Sequence, residues 1–140
     1  MAYATREDVI QLHSEQFLDR IADRDQDMGA DNDAVTIALG FAASEIDSYL
    51  SARYVTPIAG VAPLMVKVAN VEIAVYRLSN NGGILTEDIR RRYEDTIKWL
   101  QAIAAGKANI GVPAIDSGAK PPVVTNFVKP VAMFGRAVRG

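Results

Sequence analysis

The sequence has no cysteine, one histidine (His13) and one tryptophan among its 140 residues. The missing thiols exclude disulfides, a cysteine nucleophile and Cys-ligated zinc together. No long hydrophobic run is present either: the longest uncharged stretch near the middle, residues 54–66, contains Pro57 and Pro63 and falls well short of the ~20 apolar residues of a spanning helix. Acids stand early, at Glu7 and Asp8, where an export signal would carry its apolar segment, so export by that route is not expected. What is present is ordinary for a folded chain, with 49% apolar and 23% charged residues. Length allows one domain and an appendage.

The net charge of −2 conceals an asymmetry. Residues 1–106 hold ten Lys/Arg and sixteen Asp/Glu, whereas residues 107–140 hold five and one. An acidic body carries a basic tail.

Helical periodicity fills the body. Thr5, followed by Arg6-Glu7-Asp8, reads as an N-cap with acids at the positive end of the helix dipole, and Ser14 reads as the cap of a second short helix bearing Phe17, Leu18 and Ile21. From about Asp33 to Arg53 the stripe Val35, Leu39, Ala42, Ile46 and Tyr49/Leu50 predicts a long amphipathic helix. Pro63 suits a first turn, and Leu64, Val68, Val71, Val75 and Leu78 follow at helical spacing. Several of these are β-branched, but the uninterrupted length from Leu64 to Ser79 favours a mostly buried helix over a strand. Thr86 caps a last helix with Ile89, Tyr93, Ile97/Trp99, Leu100 and Ile103/Ala104 inward, and with Glu87–Arg91, Asp88–Arg92 and Glu94–Lys98 as i,i+4 pairs. After Gly106 prolines and glycines accumulate. The expected fold is therefore mainly α: a bundle of four to five helices over residues 1–106, followed by a Pro/Gly-rich extended tail over residues 107–140.

Chemistry-bearing motifs are few. His13 and Ser14 are neighbours, so their side chains diverge by about 100° on a helix, and no oxyanion-loop sequence accompanies them. A surface or capping histidine is expected, and no catalytic residue. The glycines form neither a Walker loop nor a dinucleotide fingerprint. Asp23, Asp25, Asp27, Asp31 and Asp33 alternate as ligands of a hard cation would, yet an EF-hand started at Asp23 puts Met28 where glycine is needed and Ala34 where a bidentate glutamate is needed. Helix-capping aspartates in a solvated turn are expected, with no metal and no cofactor. Arg90-Arg91-Arg92 spreads over ~200° of helix beside acids and reads as a salt-bridged surface. The tail is the exception. Phe127, Val128, Met133 and Phe134, interleaved with Lys129, Arg136 and Arg139, are too apolar for an entropic linker and mark a partner-binding segment.

The opening Tyr3-Ala4-Thr5-Arg6-Glu7-Asp8, the turn Asp23-Arg24-Asp25, the run from Ala43 to Tyr54, and further on Tyr76-Arg77-Leu78, Arg92-Tyr93 and Ile103-Ala104-Ala105-Gly106-Lys107 resemble the Mu-like phage neck proteins. The resemblance spans about residues 3 to 107, and the tail matches loosely. It implies a non-enzymatic head-completion or head-to-tail adaptor of the virion neck, made in the host cytoplasm. Such a protein forms a ring, commonly of twelve copies, under the portal protein, meets a tail-side neck protein, and lets genomic DNA pass its lumen; no membrane is involved. The rival reading is a DNA-binding accessory module whose basic tail contacts phosphates. A calcium-dependent binding module is a third, and it requires cation affinity between Asp23 and Asp33.

Overall fold

A computed structural model describes residues 2–23 and 31–115. Five helices follow in order: α1 (Arg6–Leu12), α2 (Glu15–Ala22), α3 (Asn32–Leu50), α4 (Leu64–Asn81) and α5 (Glu87–Ala104). No strand occurs among the described residues. The fold is mainly α, as the periodicity requires.

Each helix start is fixed by local chemistry. Thr5 and Asp8 form a reciprocal capping box: the Thr5 N–H donates to Asp8 Oδ2 at 2.8 Å, and the Asp8 N–H donates to Thr5 Oγ1 at 3.4 Å. Ser14 Oγ accepts from the Phe17 N–H, Asp31 Oδ1 accepts from the N–H groups of Asp33 and Ala34, and Thr86 Oγ1 accepts from the Ile89 N–H. Pro63 stands at the N-cap of α4 rather than inside its first turn. The ends of α4 and α5 share one device. Gly83 (φ +72°) and Gly106 (φ +82°) turn left-handed, so the next N–H reaches back: Ile84 donates to the Ser79 carbonyl at 2.9 Å, and Lys107 to the Ala102 carbonyl at 2.8 Å.

Helices α3, α4 and α5 pack against one another, and the short α1 and α2 close over α4. The α3 stripe is buried as its spacing demands, through Val35, Leu39, Ala42, Ile46 and Leu50. The helix ends at Leu50; Ser51 to Arg53 continue as a turn in which the Tyr54 N–H still reaches the Leu50 carbonyl at 2.8 Å. On α4 the expected single stripe is corrected. Leu64 is 74% exposed and Val68 only half-buried, whereas Val66, Ala69, Asn70, Ile73 and Ala74 are buried beside Val71, Val75 and Leu78. The reason is position: α4 touches all four other helices, so its middle is covered from several sides while its first turn projects beyond them.

The buried Asn70 joins three segments. Its Oδ1 accepts from the N–H groups of Tyr3 and Ala4, both at 2.8 Å, and its Nδ2 donates to the Leu39 carbonyl at 3.0 Å. Residues 107–115, without helix or strand, run along the body. Ile110 is buried and its N–H meets Tyr54 Oη at 3.4 Å, while the Ile115 N–H donates to the Arg53 carbonyl at 2.7 Å.

Candidate functional site

The tail residues singled out from the sequence, Phe127, Val128, Lys129, Met133, Phe134, Arg136 and Arg139, lie outside the described residues. So do Asp25 and Asp27 of the aspartate turn. Of its flanks, Asp23 is the C-cap of α2 and Asp31 the N-cap of α3. No group of three or more metal-binding side chains forms among the described residues.

His13 is better packed than a surface histidine, with its side chain 10% exposed at the C-cap of α1. Its ring stacks on Phe17 at 4.7 Å between centroids. Nε2 meets Glu72 Oε1 of α4 at 2.9 Å, and Arg92 Nη1 of α5 approaches Nδ1 at 3.5 Å. Since a guanidinium only donates, Nδ1 is the acceptor and Nε2 carries the proton given to Glu72. Arg92 also lies 3.8 Å from Glu72 Oε2 and pairs with Asp88. Both imidazole nitrogens are therefore engaged, and the cluster is a bracket holding α1 to α4 and α5.

A second polar junction ties α3 to the same two helices. Glu45 accepts from Arg77 Nη2 and from the Tyr93 hydroxyl, each at 3.0 Å, and Tyr93 stacks on Tyr76 with centroids 3.9 Å apart. Burial, then the hydrogen bond to Glu45, pushes the Tyr93 phenol up to about 12. Tyr3 behaves alike. Its hydroxyl donates to Asp47 and accepts from the Ile58 N–H, and burial followed by the Asp47 contact raises its pKa to about 12.

The arginine triplet is a partly paired surface. Arg90 pairs with Glu87 and Glu94, and Arg92 with Asp88, so the expected Glu87–Arg91 and Glu94–Lys98 pairs are replaced by pairs to Arg90, which lies between both acids.

What the sequence did not reveal is a groove. Between the start of α4, the C-terminal half of α5 and the end of α1, two adjoining hollows of about 420 and 220 Å³ share Val68, Asp95 and Thr96. Leu12, Met65 and the half-buried Trp99 extend its apolar surface, and the His13–Glu72–Arg92 bracket forms one wall. A separate apolar surface lies on α3, where Ile37 and Phe41, 53% and 60% exposed, stand one turn apart with the Arg77 guanidinium over the Phe41 ring. One signal for the polar wall was present in the sequence: Glu72 stands between the apolar Val71 and Ile73 in the middle of α4, where a carboxylate persists when a neighbour satisfies it.

Of the residues that cross-link the helices, Tyr3, Glu45, Asp47, Tyr76, Arg77, Arg92 and Tyr93 fall within the sequence runs quoted above for a phage resemblance, and His13, Asn70 and Glu72 fall outside them. The family model described as Bacteriophage Mu, Gp36 matches residues 3–128. The chain belongs to the bacteriophage Mu Gp36 family. Its match runs past Lys107 and takes in Phe127 and Val128, farther than the sequence resemblance indicated. Two relatives agree. The Mu-like prophage FluMu protein gp36 of Haemophilus influenzae is 36% identical over 114 residues, covering 81% of this chain and 79% of its own. Gene product J of Escherichia phage Mu is 34% identical over 113 residues, covering 80% and 78%. The Gp36-family chain described here is thus a phage protein.

Proposed function

We propose that this Gp36-family protein is a structural component of the virion neck, a head-to-tail adaptor whose copies form a ring beneath the portal protein and offer a docking surface to a tail-side neck protein. The supporting observation is the pair of apolar surfaces on opposite sides of α4. Arg77, over Phe41, and Val68, in the groove, are nine residues apart, about two and a half helical turns. Two different patches on one subunit are what a head-to-tail contact between identical copies needs, and such contacts form a ring when the rotation from copy to copy closes. A two-fold dimer would need one self-complementary patch instead.

In this reading the protein acts by shape and not by catalysis, and no cofactor or membrane takes part. The acidic body lets genomic DNA pass through the lumen without adhering. The rival DNA-binding role gains little from the body, because Arg90 and Arg92 are already engaged by acids. Assembly takes place in the host cytoplasm, and the tail from Val123 to Phe134 supplies part of the contact between neighbours.

The test is genetic and structural together. Deleting residues 121–140 should leave normal heads and normal tails that fail to join or that leak DNA, and imaging of wild-type particles should find the protein at the neck. Wild-type particles lacking the protein at the neck would refute the adaptor role, and fully infective deletion particles would show that the tail is a passive linker.

A further inference from the structure

We infer that the groove between α4 and α5 is the receptor for the apolar and basic segment 121–134 of a second copy of this chain. The inference rests on the ring assembly proposed above and names the contact that would hold neighbours together.

The groove is apolar but carries one carboxylate without an ion pair among the described residues. Met65, Val68 and Trp99 form its apolar surface. Asp95 lies between the hollows and lines both. The neighbouring acids are differently placed: Glu72 and Asp88 both pair with Arg92, Glu72 also accepts from His13, and Glu94 lies near Arg90. A ligand suited to this surface would present apolar side chains beside one cation. Segment 121–134 has that pattern in Phe127-Val128-Lys129-Pro130, and its prolines, Pro121, Pro122 and Pro130, disfavour helix, so a groove that takes an extended peptide suits the sequence.

The tether is long enough to reach a neighbour's groove. The last described anchor is the Ile115 N–H on the Arg53 carbonyl. The twelve steps from Ile115 to Phe127 reach up to about 40 Å when extended, longer than the ~27 Å of α5. The same chain's groove is much nearer. Trp99 precedes Gly106 by seven residues, ~10 Å along the helix axis, and Gly106 lies against the Arg53 side chain. The tether therefore has length to spare for the groove of a neighbour in the ring proposed above, and the cross-linking test separates that groove from the chain's own. Segment 121–134 itself carries one cation, Lys129, and no acid, and it is flanked by Lys120, Arg136 and Arg139, which suits it to an acidic body of net charge −6 over residues 1–106.

The absence of cysteine makes the test clean. Full-length chains carrying M65C are mixed with chains carrying F127C or F134C under mild oxidation. A disulfide-linked heterodimer should form with at least one of the two, at least fivefold faster than with an exposed control, T36C, in place of M65C. Adding D95K to the groove chain should slow the reaction about fivefold, and K129E in the tail chain should restore it. In a chain carrying both M65C and F127C, cross-linking within the chain and none between chains would overturn the inference, as would equal rates with the T36C control or indifference to D95K. If those outcomes occur while the protein is found at the neck, the adaptor role stands and only this contact falls; heterodimers formed by a protein absent from the neck would show the reverse.

Discussion

At the scale of single residues, the polar groups that matter most here are those that lie between helices. The two raised phenols show this. Tyr3 and Tyr93 both sit with a carboxylate at the hydroxyl, and burial adds to the cost of removing the proton, so each is pushed up to about 12 from an ordinary value of 10. A folded-state pKa above the unfolded one contributes stability that is fully present below pH 10 and lost as pH rises through about 12. Alkaline unfolding should therefore begin in that window. In a phenolate absorbance titration, two of the five tyrosines should ionise together with the loss of helical circular dichroism; Y93F should remove one of these late steps. Titration of both phenols near 10 in the folded protein would contradict the buried contacts.

At the scale of elements, α4 is the hub, and Asn70 is where its hydrogen bonding reaches outward. Replacing Asn70 by alanine strands the N–H groups of Tyr3 and Ala4 and the Leu39 carbonyl, and unsatisfied buried groups cost ~1–3 kcal/mol each. Because the N-terminal strand of chain can detach and rehydrate two of them, the expected net loss is about 2–3 kcal/mol in urea unfolding, with fast amide exchange at Tyr3 and Ala4. A loss below ~1 kcal/mol would mean that the strap is not held by this amide. The helices themselves were legible because caps and stripes are local: Thr5, Ser14 and Thr86 each announce a helix within three residues of sequence, and Leu39, Ala42 and Ile46 share one face by spacing alone. Three kinds of feature were not. The exposure of Leu64 depends on where α4 outruns its neighbours, the pairing of Glu87 with Arg90 in place of Arg91 depends on rotamer geometry, and the groove depends on how α1 lies against two helices far from it in sequence. The partner of His13 was equally hidden, since Glu72 is brought to it only by tertiary packing.

At the scale of the whole molecule, the body extends past the last helix. Ile110 is buried and the backbone of residues 107–115 is hydrogen-bonded to the connection between α3 and α4. Full burial of one isoleucine is worth ~1.5–3 kcal/mol. A chain ending at Ile115 should therefore be more stable than one ending at Gly106 by about that amount, with both remaining helical and melting cooperatively. Equal midpoints in denaturant would show that the stretch beyond Gly106 merely lies on the surface. The uneven distribution of proline, glycine and charge places the end of the helical body at Gly106, and it gives no sign that residues 107–115 pack back onto that body through Ile110 and Ile115.

The connection between α3 and α4 receives both flanks of the body: Ile58 binds the Tyr3 hydroxyl near the start of the chain, while Tyr54 and Arg53 bind Ile110 and Ile115 near its described end. This gives the molecule a mechanical character. Tension applied through the segment beyond Ile115 loads the Ile115–Arg53 and Ile110–Tyr54 hydrogen bonds first and in succession, before any helix of the bundle is pulled along its axis. Bonds loaded one after another peel at low force, whereas bonds loaded together resist as a set. Under such a load the stretch from Lys107 to Ile115 would come away ahead of the helical core, because two hydrogen bonds and one buried isoleucine fasten it.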